Sequence, residues 1–450
     1  MTTTRTPAAA EADVGRATAR WWQLRHHGLP MQRHRTTTAN AATLYPWHGG
    51  PGLTTAGPYL GVNITGGDSR WHYDPFELYQ QPDSPITDSN ILIAGRPGRG
   101  KSTAVKTFLY REVGLYGRRR FLAINDPKGE YGPLAAALGM PVIKLHPGGR
   151  HRLNPLDPAP GDPSDRGLLS RQRLVASLIA VVLDRRLEPG EEAVIGRSIG
   201  YLADKIARFD LADLTHVITT PPDGLRHHPE LATLTDAELR AASTPVRFAL
   251  GKLLDRTLRG MFDGPTTVTI DWETDPGVVI DLSAVLEDRE ALPLVMMAAG
   301  NWLQSAMTNL HVDRRGLQVD DEVWALLENE WAVKHLQARL KLCRHWGLCN
   351  ILVCHRLADL RSQTADGTAT HKIATGLLED IATRILFAQP PGQTEQAQTL
   401  LGLTDTEANL LPLLAKGRAL WRVGEHSAVV EQLISPAEIV ITNTDAVMRA

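Results

Sequence analysis

A chain of 450 residues with 43% hydrophobic and 22% charged residues has room for two or three domains of ordinary globular composition. Its formal net charge of -2 excludes a global basic field of the kind that advertises a nucleic-acid partner. Three cysteines without C-x-x-C spacing exclude a disulfide framework and argue against zinc, and no run reaches the ~18 apolar residues of a spanning helix.

Residues 1 to about 50 are a Thr/Ala-rich start with one expected helix at Ala10–Leu24. Residues 51–88 are rich in Gly, Pro and Asp, with a short strand expected near Tyr59–Ile64. From there the pattern changes. Apolar runs at Asn90–Gly95, Arg120–Asn125 and Pro141–Leu145 alternate with helical spacing at Lys101–Gly114 and Tyr131–Leu138. Buried strands alternating with helices predict β-α-β units in a parallel sheet. Between Pro158 and about Arg259 the strand signal stops. Helical spacing at Ser170–Asp184, Glu191–Arg208, Asp236–Ala241 and Pro245–Arg259 predicts an all-helical insertion. Strands are expected again at Thr267–Asp271, Val278–Leu282, Leu317–Val319, Asn350–Cys354, Arg384–Phe387, Ala419–Val423 and Ala428–Leu433. The expected division is an N-terminal extension at 1–85, core at 86–157, insertion at 158–261, core again at 262–440 and a tail at 441–450.

The first chemistry lies at the end of the first core strand. Gly95, Arg96, Pro97, Gly98, Arg99, Gly100, Lys101, Ser102 and Thr103 follow an apolar run and open a helix. Glycines admit the backbone angles that turn successive N–H groups inward on phosphate oxygens, and the helix N-terminus adds partial positive charge. In this pattern Lys101 reaches the β- and γ-phosphates and the Ser102 hydroxyl ligates Mg²⁺. No Asn-Lys-x-Asp guanine-reading motif occurs, so the expected nucleotide is ATP.

A second element is a strand ending in acids, Leu317-Gln-Val-Asp320-Asp321-Glu322. A P-loop hydrolase needs one carboxylate for the metal's water shell and one to polarise the attacking water. The reading assigns Asp321 to Mg²⁺ and Glu322 to the water, with Asp320 leaving the register ambiguous. Two stretches are locally basic, Arg96–Arg120 and Lys334–Arg361. Each is read either as a solvated face or as a source of weak DNA binding.

Further segments fall in a telling order: Asp126-Pro-Lys128-Gly129-Glu130-Tyr131, Asn154-Pro-Leu-Asp157, Asp321-Glu322-Val-Trp324, then Gly402-Leu-Thr-Asp-Thr-Glu407 and Lys416-Gly417-Arg418. Together they resemble the VirB4/TraC-like ATPases of type IV secretion and conjugation, within the HerA/FtsK-like P-loop motors, over residues 55 to 440. The resemblance implies an α/β fold, a RecA-like core with a helical insertion, hexamers or dimers that assemble further, and partners in a secretion or conjugation complex. It implies a cytoplasmic chain that meets the inner face of the membrane only through those partners. It also implies a cation acting across a subunit interface, for which Arg344, ahead of Gly347, is the first choice among Arg339, Lys341, Arg344, Arg356 and Arg361. Two departures stand out. His355 occupies the place, ahead of Asp359-Leu360, where the family has Gln, and only about 90 residues precede the P-loop where the family carries a larger domain. A truncated or specialised version would fit. Two other readings share the core: a DNA translocase or coupling protein, and an ATP-binding scaffold with weak hydrolysis.

Overall fold

Eleven strands form one sheet in the computed structural model, which describes residues 52–65, 67–158, 165–255, 258–308, 314–355 and 369–443. The helix expected at Ala10–Leu24, the Asp359-Leu360 pair, Arg356 and Arg361 lie outside the described residues. In chain order the strands are β1 (Tyr59–Asn63), β2 (Ser69–His72), β3 (Ile91–Ala94), β4 (Arg120–Asp126), β5 (Val142–Lys144) and β6 (Gly277–Asp281). They continue as β7 (Arg315–Asp320), β8 (Leu348–Cys354), β9 (Thr383–Phe387), β10 (Arg418–Val423) and β11 (His426–Gln432). The order across the sheet is β2-β1-β11-β10-β9-β3-β8-β7-β4-β6-β5. Strands β9 to β5 of that order pair in parallel, and the four on the other side are antiparallel.

Parallel strands require cover on both faces, and β4, β6 and β8 are buried along their whole length. The twofold strand repeat divides their side chains between two cores. Ile91, Ile93, Leu122, Ile124, Leu317 and Val319 face α2 (Lys101–Tyr116) and α3 (Gly132–Leu138). Leu92, Ala94, Phe121, Ala123, Val278 and Ile280 face the opposite core. That core contains the helices between β5 and β6 and those flanking β7. The first group follows α1 (Pro75–Tyr79) and the two helices already given, as α4 (Asp165–Leu183), α5 (Pro189–Lys205), α6 (Leu211–Thr219) and α7 (Asp236–Leu254). The other helices longer than four residues are α8 (Ala291–Met307), α9 (Glu330–Trp346), α10 (Ala369–Glu379), α11 (Thr394–Leu401), α12 (Asp405–Leu410) and α13 (Pro436–Thr442).

The Asn154–Asp157 segment fastens the way into the helical insertion to the way out. Asn154 Nδ2 donates to Phe209 O at 2.8 Å, and Asp157 Oδ2 accepts from Thr266 N at 2.6 Å. Three local expectations differ. Pro245 does not divide two helices but lies inside α7, where the residue four positions back, Ala241, is exposed and its carbonyl can turn to water. Thr267–Asp271 alternates like a strand, yet it joins no ladder. Thr267 instead pairs with Arg152, its N donating to Arg152 O at 3.1 Å and its hydroxyl accepting from Arg152 N at 2.9 Å. Strand β2 lies in the Gly/Pro/Asp-rich stretch and completes a hairpin with β1. Among the described residues no helix is long and apolar enough to cross a membrane.

Candidate nucleotide site

The loop between β3 and α2 has glycines at its three turning points, with φ of 156° at Gly95, 72° at Gly98 and 112° at Gly100. At Gly95 a Cβ would lie 2.5 Å from Phe387 Cβ on the neighbouring strand, so β3 and β9 close only over glycine. The loop is pinned at both shoulders. Arg96 N donates to Ala388 O at 3.0 Å, and Gly417 N donates to Arg99 O at 3.1 Å. The Lys416–Arg418 segment of the sequence motif is thus a wall of the loop. Helix α2 starts on left-handed Gly100 with no side-chain cap, which leaves its first amides open towards the loop centre. Such a terminus fits a phosphate.

Lys101 is buried, its Nζ donating to Gly95 O at 2.6 Å and Arg96 O at 3.1 Å. Burial pushes its ammonium down to about 8, and the nearby charge of Lys128 acts in the same direction. Ser102 and Thr103 are half-buried at the first turn, while Arg96, Pro97 and Gly98 are exposed and Arg99 is half-buried.

Strand alternation separates the three acids. Gln318 and Asp320 face α8 and α9, where Gln318 Nε2 donates to Gly300 O at 3.1 Å. Asp320 there accepts from Asn125 Nδ2 at 2.7 Å and pairs with Arg339. Arg339 is therefore a buried partner of Asp320 rather than one of a run of free cations. Asp321, on the opposite face with Val319, is buried on the α2 side. Burial raises its carboxyl to about 6, and the Glu322 charge adds to that. A buried carboxylate held this far up gains from an adjacent cation, so Asp321 together with the Ser102 hydroxyl could hold a divalent metal ion.

Glu322 turns the chain out of the sheet with a φ of 53°, a conformation that strains a residue bearing a side chain. Its Oε1 contacts both Lys128 and His355, and its Oε2 accepts from the indole N–H of Trp324. Burial alone would raise its carboxyl. The His355 contact and the Lys128 charge outweigh burial and hold it down to about 2. His355 sits directly after β8, between β3 and β7 in the sheet, and so brings its ring to the cradle edge.

Arg344 lies elsewhere. It precedes β8, whose seven residues span about 23 Å, so it marks the opposite edge of the sheet from His355. It is exposed, donates to Thr87 O at 3.3 Å, and borders a cleft of about 430 Å³ with Lys341, Asp88 and Asp380. Within one chain it does not meet the cradle. Two participants carried no assignment from the sequence. Lys128 stands two residues past β4, and Trp324 stands two past Glu322. A lysine just beyond a strand that borders the acid strand was the available signal.

No family model matches this sequence, and no curated protein matches it. Solved structures do. VirB4 of Thermoanaerobacter pseudethanolicus superposes with a TM-score of 0.62 at 22% identity, over 86% of this chain and all of the other. The conjugative coupling protein TrwB, in its unbound monoclinic form, gives 0.58 at 15% identity over 91% of this chain and 95% of its own. TrwB in complex with ADP and Mg²⁺ gives 0.54 at 16% identity, over 85% and 96%. The fold is that of VirB4 and TrwB. It is the α/β architecture that the sequence resemblance implied, and the likeness extends over nearly the whole length of those chains.

Proposed function

We propose that this chain is an ATP-hydrolysing motor of a conjugation or type IV secretion-like apparatus, working as a ring of identical copies. One observation carries the reading. Lys101 and the Asp321–Glu322 pair, 220 residues apart in sequence, converge at one edge of a parallel sheet beside an uncapped helix N-terminus. The likeness to VirB4 and TrwB supports the choice of machine.

In this reading the loop amides of residues 95–103 bind the phosphates of ATP, and Lys101 exchanges its carbonyl partners for phosphate oxygens. Ser102 and Asp321 would hold Mg²⁺, which would supply positive charge beside the phosphates. Glu322 orients a water and accepts its proton as the water oxygen bonds the γ-phosphorus. The bond from that phosphorus to the β–γ bridging oxygen breaks, releasing ADP and phosphate. His355 and Trp324 hold the Glu322 carboxylate in place. Arg344, at the far edge, serves the cradle of a neighbouring copy. The chain meets the membrane through partners of the apparatus.

Nucleotide affinity and steady-state phosphate release test this directly. Lys101→Ala is expected to lose binding, whereas Glu322→Gln keeps binding and loses turnover by about 10²-fold or more. Mixing Lys101→Ala with Arg344→Ala chains is expected to restore part of the turnover that neither has alone. Parental turnover in Glu322→Gln would sink the assignment of the acids. A second reading, a DNA-translocating coupling protein, draws on the TrwB likeness and is separated by the response of turnover to DNA.

A further inference from the structure

We propose that Lys128 is a positioning residue for this chemistry: it holds the Glu322 carboxylate and exchanges that contact for the terminal phosphate of a nucleoside triphosphate. The inference rests on the ATPase reading and adds to it a device that distinguishes triphosphate from diphosphate.

Its basis is the crowding of Glu322. Lys128 and His355 share Oε1, and Trp324 takes Oε2. The Glu322 side chain is 2% exposed. A carboxylate that must accept a proton from water needs a lone pair facing that water, and three protein groups already crowd the roughly four lone-pair sites of this one. Water gains the best access if one of them leaves.

The three differ in their freedom to do so. Trp324 begins a helical turn whose following residues, Ala325 to Leu327, are buried, and His355, though its side chain is 25% exposed, carries a short stiff ring on the residue that directly continues fully buried β8. Lys128 lies in the turn between β4 and α3, on a flexible four-carbon stem, with its side chain 27% exposed. Its backbone position is fixed independently, because Asp126 Oδ1 and Oδ2 accept from Glu130 N at 3.1 Å and Tyr131 N at 2.9 Å across the same turn. The head can therefore swing while the turn stays in place. Its direction of swing follows from its neighbours. The Lys128 ammonium touches both Glu322 and His355, and His355 follows β8 beside the P-loop strand β3, so Lys128 borders the same cradle. A terminal phosphate carries more negative charge than one carboxylate and offers three oxygens to an ammonium. A diphosphate ends short of that position and leaves Lys128 on Glu322.

The test titrates the full chain, with Mg²⁺, against ADP and against an ATP analogue whose β–γ bridging oxygen is replaced by NH. Lys128→Met is expected to weaken the analogue about tenfold while changing ADP less than about twofold, and Lys128→Arg is expected to recover most of the loss. Tryptophan emission supplies an independent reading, since Trp324 shares the carboxylate. The analogue-minus-ADP difference seen in the parent is expected to vanish in Lys128→Met and in Trp324→Phe. If Lys128→Met does not fold, Lys128→Gln removes the charge with a polar side chain and decides by the same two measurements. Equal weakening of both nucleotides, or an unchanged ratio with an unchanged emission difference, overturns the inference alone. A parent chain that binds neither nucleotide overturns the ATPase reading, and the inference falls with it.

Discussion

At the scale of single residues, Asp320, Asp321 and Glu322 show how much position on a strand decides. Their side chains differ little in chemistry, yet the pleat sends Asp320 into the core between α8 and α9 and Asp321 to the P-loop side. The cradle was legible because its glycines and Lys101 act through local spacing. The fate of Asp320 was not, because its partner Arg339 is 19 residues on, in a helix whose sequence reads as cationic surface. Arg339 and Asp320 are both buried, and removing one partner leaves an uncompensated buried charge, which costs about 3–5 kcal/mol. Arg339→Met is therefore expected to lower stability by that order in urea unfolding, and Arg339→Met with Asp320→Asn to regain much of it. Loss of turnover at unchanged stability would instead make Arg339 a functional cation. Gly300, where a Cβ would lie 2.6 Å from Arg339 Nη1, keeps room for this pair.

At the scale of elements, periodicity made the parallel core readable, and the same signal misled where tertiary context replaced it. Thr267–Asp271 alternates, but its Thr267 hydroxyl serves Arg152 instead of a ladder. Ser69–His72 pairs with β1 although its surroundings are written in turn residues. Helix α13 depends on one carboxylate in two ways. Glu438 closes the capping box with Ser435, whose N donates to Oε2 at 2.7 Å, and it takes Arg111 of α2 in a fork at 2.6 and 2.7 Å. Burial works against the charged form, but Arg111 and the Ser435 amide prevail and hold the Glu438 carboxyl below its usual range. Because the folded value is depressed, the stabilisation is complete above the unfolded value of about 4.3 and is lost as pH falls through the folded value. Amide exchange, corrected for intrinsic rates, is expected to show residues 436–442 losing protection between neutral pH and pH below about 4 before the strands do. Glu438→Gln is expected to lose much of that protection already at neutral pH, through a cap and fork that contribute about 1–3 kcal/mol. Protection in Glu438→Gln equal to the parent's at every pH would refute the dependence.

At the scale of the whole molecule the question is what the proposed motor works on, and charge decides the expectation. Among the described residues, half of the cations of the two basic stretches are engaged within the fold. In the first, Lys101 lies in the cradle, Lys106 is buried with its Nζ on Glu130 O at 2.8 Å, Arg111 pairs with Glu438, and Arg120 pairs with Asp74 and Glu112. In the second, Lys334 pairs with Glu330 at 2.5 Å and Arg339 with Asp320. Among the described residues this leaves Arg96 and Arg99 beside the cradle, and Arg118 and Arg119 ahead of β4 with Lys341 and Arg344 ahead of β8, at the opposite, strand-start edge of the sheet. A protein that tracks along DNA neutralises several phosphates in a row, and its affinity then falls by ~10³ or more across a few-fold rise in salt. A ring multiplies the few cations of one copy, so some binding is expected, weak and largely lost near ~150 mM salt. Phosphate release is accordingly expected to rise less than about threefold on adding long duplex DNA, an effect under ~1 kcal/mol on the barrier. The measurement compares duplex and single strands at two salt concentrations, with Lys341→Ala as a control for the one exposed lysine of the second stretch. Stimulation of tenfold or more that survives the higher salt would move the chain from the secretion motor to the DNA-translocating coupling protein.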